Sequence, residues 1–388
     1  MLRMRTFTVS LLLAPAIWFA AVSAHAVTPT PQLPIPPAPS LPNVASYVVL
    51  DYQTGQVVAS KDPDLRRAPA SLTKLMTAYL TYQAIAGGSL RLDESVPVTQ
   101  TAWKTGGSRM FLQPQLPVTV DQLLHGLLID SGNDAAVALA ENVGGSQSAF
   151  VTLMNDAAAR LQLHSTHYSN VDGLPDDNLY TTAADVSRLS RDLIQQYPQV
   201  LQITKLQSYT YNKITQRSWN PVLFRDPSVD GLKTGLTDAL GHCIDATALR
   251  NGRRLIAVEM GAPSWSSGTD AIEALLNYGY RFYQNREVYP AGRQVGMASH
   301  TDWSPMQVPV KVAQAVVVTI PRNREGDIQT RVLWDPKVQP PFAQGAVLGQ
   351  LELSIDGKVL RNVPVIATER VRKASWLDRL WHRVRAAI

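Results

Sequence analysis

The sequence contains a single cysteine, Cys243, so no intrachain disulfide can form and the core alone must hold the fold. Cys243 reads as a small buried apolar residue rather than a nucleophile. Metal-ligand patterns are lacking too. His164 and His167 stand three residues apart, but no Glu or further ligand completes a site, so no metal and no cofactor are expected. Long apolar runs are absent beyond the first 26 residues, which excludes a later membrane span. Net charge is 36 − 31 = +5, and residues 370–388 account for it with Arg370, Arg372, Lys373, Arg379, Arg383 and Arg385 against Asp378. The remainder is near neutral, so nothing suggests a nucleic-acid surface.

The two ends carry signals of their own. Arg3 and Arg5 precede an apolar run from Phe7 to Val22, and Ala24-His25-Ala26 supplies a small-x-small site. Residues 1–26 therefore read as a secretory signal cut after Ala26, giving an exported, periplasmic protein. Residues 27–43 hold seven prolines and read as an extended spacer. At the other end, Trp376, Leu377, Leu380, Trp381, Val384 and Ile388 fall on one side of a basic helix spanning 370–388. That pattern predicts an in-plane anchor on an anionic membrane surface, at the outer face of the inner membrane.

Between the ends the patterning is mixed. SYVVLDY and QVVAS flank Thr54-Gly55 as a hairpin, and a helix is expected from Ser71 to about Ala86. Residues 90–220 are mostly helical in pattern. VDGLKTG, GHCIDATAL and RRLIAVEMGA read as three successive strands, followed by a long closing helix. A sheet drawn from both ends of residues 44–287, with helices inserted, is an α+β domain. Residues 288–369 show short β-rich runs separated by Gly, Pro and Asp, as in a small all-β domain.

The stretch APASLTKLMTAY places Ser71 and Lys74 three apart, on one face of a helix. Alone, this is either a cap with a solvated lysine or a nucleophile with its base. Two later triplets decide between them: Ser131-Gly132-Asn133 in a loop between helices and Lys233-Thr234-Gly235 on a strand. The ordered set is that of serine β-lactamases and penicillin-binding proteins. A serine hydroxyl attacking an acyl carbon needs a base within hydrogen-bond reach. Lys74 can serve if its ammonium deprotonates near neutral pH, which burial and a like charge from Lys233 would favour. Ser131 is placed to relay a proton to the leaving amine, and Asn133 to position a substrate amide. Backbone N–H groups of Ser71 and Leu236 are the expected oxyanion donors.

From Ala45 to Arg370 the chain resembles the low-molecular-mass penicillin-binding proteins, the D-alanyl-D-alanine carboxypeptidases. The segments that carry the likeness include SYVVLDYQTGQVVAS, RRAPASLTKLMTAY, GGSRMFLQP, LIDSGNDAAVALAE, NVDGLPDDNLYTTAADVSRL and VDGLKTGLTDALG. The resemblance implies a transpeptidase-like α+β domain, a β-rich second domain and a terminal amphipathic helix. It implies removal of the terminal D-alanine from peptidoglycan stem pentapeptides through an acyl-enzyme on Ser71. β-Lactams are implied as covalent inhibitors. Catalytic roles fall on Ser71, Lys74 and Ser131, and substrate contacts on Asn133, Lys233, Thr234, Gly235, Leu236 and Thr237.

Two positions depart from that family. Leu236 stands where many relatives have His, and Trp219, within Gln216-Arg217-Ser218-Trp219-Asn220, stands where an arginine is expected to hold the substrate carboxylate. Arg217 and Arg225 are candidate substitutes. Two other readings stay open, a murein D,D-endopeptidase and a catalytically weakened peptidoglycan-binding protein, whereas the sequence argues against a class A β-lactamase. The last would need a deacylating carboxylate, and the one Glu-x-x-x-Asn candidate, Glu273 to Asn277, follows Lys-Thr-Gly instead of preceding it.

Overall fold

The strand Ser46–Asp51 is buried at every position, because it lies inside a sheet covered on both faces. A computed structural model describes residues 37–237 and 241–379. The signal sequence, most of the proline-rich spacer and residues 380–388 lie outside the described residues. The central sheet is antiparallel, in the order Val57–Lys61, Ser46–Asp51, Arg253–Ala262, Gly241–Arg250, Val229–Thr237. Side chains alternate between its faces. Val48 and Leu50 join the core of the helical region, while Tyr47 and Val49 pack with Ile272, Leu275 and Leu276 of the closing helix, Trp265–Phe282.

The helical region is built around Lys74–Ala86, whose first nine residues are all buried. Helices Val120–Leu128, Asn133–Gly144, Gln147–Arg160 and Ala183–Gln196 belong to the same region. Their starts are legible locally: Thr119 and Gln122 form a capping box, and Ser146 and Thr182 cap the N-termini that follow them. A two-stranded hairpin, Ser208–Tyr211 with Ile214–Arg217, interrupts this mainly helical stretch.

Two boundaries differ from the sequence expectation. The closing helix passes without a loop into the strand Tyr283–Tyr289, which pairs with Val316–Pro321 of the β-rich part, so that part begins ahead of residue 288. Its sheet runs Gln294–Ser299, Gln307–Val312, Lys358–Ala367, Val347–Ile355, Gln329–Trp334 around a separate apolar core. Residue 370 does not open the terminal helix either. Arg372–Lys373 pairs with Trp303–Ser304, and Val371 and Ala374 are buried in the β-rich domain. Ser375 and Asp378 then cap a helix that starts at Trp376. Trp376 is 71% exposed there. Among the described residues, no helix is long and apolar enough to cross a membrane.

The two folded parts meet at a polar seam. Arg253 pairs with buried Asp51 at 2.8 Å, Asn285 donates to the same carboxylate, and Thr54 and Thr319 share a 2.6 Å hydroxyl contact.

Candidate active site

Ser71 sits in a short 3₁₀ turn, Ala70–Thr73, and the α-helix begins only at Lys74. The sequence pattern places the helix start at Ser71 because i,i+3 neighbours share a face in both helix types. Ala70 takes a positive φ of 49°, turning the chain sharply just ahead of the serine. Gly173 supports the turn from outside. Its φ is +91°, and a Cβ there would lie 1.9 Å from the Ala70 carbonyl oxygen.

Lys74 is fully buried and its amine has three partners: Ser71 Oγ at 2.9 Å, Asn133 Oδ1 at 2.7 Å and the Asp172 carbonyl at 2.6 Å. The last two are acceptors only. A neutral amine has two N–H bonds and one lone pair, so those bonds go to Asn133 and Asp172. The lone pair is then left for the Ser71 hydroxyl. Burial lowers the Lys74 pKa to about 8, against the opposing pull of Asp172 and Asp134. The like charge expected from Lys233 is not what depresses Lys74; the repulsion is expressed at Lys233, pushed well down by burial and then by Lys74.

Lys233 donates to Ser131 Oγ and to the Thr234 carbonyl, both at 2.9 Å. Ser131 adopts a positive φ of 58°, and the Ser108 hydroxyl donates to its carbonyl at 2.7 Å. Asn133 is spent on structure as well as on Lys74: its amide donates to the Gly106 carbonyl at 2.7 Å. Asp134 anchors the same loop by accepting from the backbone N–H groups of Met110 and Leu112.

A cleft of about 200 Å³ opens over this cluster, lined by Ser71, Ser108, Ser131, Thr234, Gly235, Leu236, Trp219 and Trp265. Thr237 ends the strand and is not part of that lining. Strand Val229–Thr237 is the sheet edge, and Gly235 approaches the turn closely enough that a Cβ would lie 3.2 Å from the Ser71 nitrogen. Trp219 donates its indole N–H to the Asp130 carbonyl at 3.2 Å. Burial, then the Asp134 charge, raises the Asp130 carboxyl to about 7, opposed by the Gln216 side chain.

The remaining candidates lie elsewhere. Arg225 is held by Asp270 and Glu273 at 2.7 Å each, and Glu273 does not line the cleft. Arg217 spreads over the Phe224 ring at 3.7 Å. Cys243 is buried, its thiol pushed up to about 12 by burial and Glu259. His167 bonds the Asn178 carbonyl, and among the described residues no group of three or more His, Cys, Asp or Glu is arranged for a metal.

Sequence reasoning missed Ser108, Asp134, Trp265 and the Asp172 carbonyl. Asp134 directly follows Ser-Gly-Asn and Asp172 lies in the quoted NVDGLP, but a backbone carbonyl has no residue-type signature. Trp265 is brought in by tertiary packing alone.

A family model described as D-alanyl-D-alanine carboxypeptidase matches residues 37–264, and one for the penicillin-binding protein 5 C-terminal domain matches residues 283–373. D-alanyl-D-alanine carboxypeptidase DacA of Escherichia coli (strain K12) is 34% identical over 95% of this chain and 94% of its own. The crystal structure of penicillin binding protein 5 from Haemophilus influenzae superposes with a TM-score of 0.80 at 30% identity, covering 86% of this chain and 99% of that one. Penicillin-Binding Protein D2 from Listeria monocytogenes, in its ampicillin-bound form, has a TM-score of 0.58 at 29% identity over 62% of this chain and all of its own.

Proposed function

The chain belongs to the D-alanyl-D-alanine carboxypeptidase family, and from that premise we infer how its residues divide the work of a serine D-Ala-D-Ala carboxypeptidase. The observation that carries the assignment is the Lys74 amine, desolvated and 2.9 Å from Ser71 Oγ with its other directions closed by acceptors. Neutral Lys74 takes the hydroxyl proton as Ser71 Oγ attacks the carbonyl carbon of the penultimate D-alanine. The developing oxyanion is held by the N–H groups of Ser71 and Leu236. The C–N bond then breaks, and the departing amine receives a proton through Ser131, whose hydroxyl is poised on Lys233. Water hydrolyses the acyl-enzyme and returns Ser71.

Asn133 fixes Lys74 and the Gly106 loop in this scheme, with Thr234, Gly235 and Leu236 along the substrate edge. A β-lactam presents a strained amide to the same serine, and the Listeria monocytogenes relative is known in an ampicillin-bound form. Among the described residues no carboxylate lines the cleft, so the adduct lacks the carboxylate base that a class A β-lactamase uses for rapid deacylation. The peptidoglycan stem peptide is the natural substrate class. The leader-like first 26 residues support export to the periplasm. The basic, tryptophan-bearing terminal helix supports peripheral attachment to the inner membrane.

The test uses the protein truncated after Ala374, a fluorescent penicillin and a pentapeptide ending in D-Ala–D-Ala. Label on Ser71 with release of D-alanine supports the reading. Label without release would point to an endopeptidase, and absence of both would leave a binding protein.

A further inference from the structure

Ser131 holds a conformation that it would not choose alone. Its φ of 58° lies in the left-handed region, which a residue with a Cβ keeps only when its surroundings impose it. Two peptide planes meet at its Cα, and each is held from outside. The Ser108 hydroxyl donates to the Ser131 carbonyl at 2.7 Å, which fixes the plane that follows. The indole N–H of Trp219 donates to the Asp130 carbonyl at 3.2 Å, and that carbonyl shares a plane with the Ser131 nitrogen. Together the two bonds restrain both backbone torsions of Ser131, and with them the origin of its hydroxyl.

The chain around Trp219 is anchored on both sides of the cleft. Gln216 donates to the Arg109 carbonyl at 2.9 Å, one residue beyond Ser108. Asn220 is buried, and its amide donates to the Gly231 carbonyl at 3.0 Å, on the strand that carries Lys233 two residues later. Neighbouring residues, Trp219 and Asn220, therefore grip the two elements whose side chains meet in the 2.9 Å contact between Lys233 Nζ and Ser131 Oγ. Proton transfer depends on contacts of this length being kept.

We propose that Trp219 is a positioning residue for Ser131: its indole N–H, backed by Asn220 on the Lys233 strand, clasps the second-motif loop so that the Ser131 hydroxyl stays on Lys233, ready to deliver its proton. The proposal rests on the carboxypeptidase reading and keeps its chemistry, in which the C–N bond breaks as the nitrogen takes a proton from Ser131. The tryptophan then has a task different from that of the arginine expected at this position, which would hold the substrate carboxylate.

The experiment compares kcat/KM of the wild type and Trp219→Phe on two substrates: a pentapeptide ending in D-Ala–D-Ala, and the thioester in which D-thiolactate replaces the last residue. Phenylalanine keeps an aromatic ring and removes the N–H. A thiolate leaves without a proton, whereas an amine must receive one, so departure depends on Ser131 in the amide alone. The amide-to-thioester ratio should fall about 10-fold in the variant, the scale of one well-placed hydrogen bond. A purely structural loss would lower both substrates together, and the ratio does not depend on how much enzyme folds. A ratio that does not fall overturns the proposal. If the wild type releases no D-alanine from the peptide, the carboxypeptidase reading fails on its own account. The clasp is then read from penicillin, whose ring nitrogen also needs a proton: Trp219→Phe should lower the rate constant for labelling Ser71 about 10-fold. An unchanged rate constant overturns it.

Discussion

The Lys74 amine and the Asn133 carboxamide oxygen lie 2.7 Å apart, and this contact, with the Asp172 carbonyl, leaves Ser71 as the one remaining partner of the amine. The asparagine of the second motif therefore directs the amine of the first toward its serine.

With its pKa lowered to about 8, Lys74 is about one-tenth neutral at pH 7. Acylation by a penicillin should rise roughly tenfold per pH unit below 8 and level off above it. Lys74→Met, which keeps the stem volume, should slow labelling by about 10²–10⁴-fold. A rate constant flat from pH 6 to 9 would rule Lys74 out as the titrating base.

Gly173→Ala introduces a Cβ at 1.9 Å from the Ala70 carbonyl and forces a side chain onto a φ of +91°. The backbone ahead of Ser71 must shift. The strain of such a conformation alone costs about 1–3 kcal/mol. A clear drop in Tm together with slower penicillin acylation is the expected outcome. Gly145→Ala is the control, since it shares a positive φ but meets nothing within 4 Å.

Asp245 is fully buried in strand Gly241–Arg250, accepts a short hydrogen bond from Ser190, and is raised to about 7 by burial. Below about pH 4 both folded and unfolded chains keep its proton. Between there and 7 the unfolded chain releases a proton that the folded chain retains, so stability falls as pH rises. Across that window a tenfold difference in proton affinity between the two states is worth about 1.4 kcal/mol. Asp245→Asn should flatten the decline of Tm between about pH 4 and 7. Melting curves with the same pH slope as wild type would show that another group governs it.

The end of the β-rich domain predicts where the tail can be cut. Truncation after Ala374 keeps buried Val371 and the Arg372–Lys373 pairing, whereas truncation after Glu369 removes both. Loss of Val371 alone should cost about 1.5–3 kcal/mol. The longer form should melt like wild type but lose binding to anionic vesicles, measured by co-sedimentation. Full-length protein should lose that binding as salt is raised. Vesicle binding that survives the cut would place the contact elsewhere.

Much of this site was legible because its chemistry demands particular residue types at short spacing. Ser71, Lys74, Ser131, Asn133 and Lys233 come together as their motifs imply. The α+β domain showed itself through strands at both ends of the catalytic region. The missing parts lacked that kind of signal. The Asp172 carbonyl aims Lys74 with a backbone atom, and Trp265 reaches the cleft from the first turn of a helix whose pattern speaks only of packing. The domain boundaries drifted because helix and strand join without a turn at Phe282–Tyr283, and because a basic strand at Arg372–Lys373 imitates the start of a basic helix.

The central sheet has a consequence for timing. Strand Ser46–Asp51 lies between a hairpin partner close in sequence and Arg253–Ala262, some two hundred residues later. The edge strand that carries Lys233 and Leu236 reaches Ser46–Asp51 only through the two strands that follow it. A growing chain thus displays its nucleophile early but cannot organise the cleft until nearly the whole domain has been made. Such long-range pairing is slow to close. Partial products of synthesis that stop short of Arg253–Ala262 lack the strand that joins Ser46–Asp51 to the strand that follows Lys233.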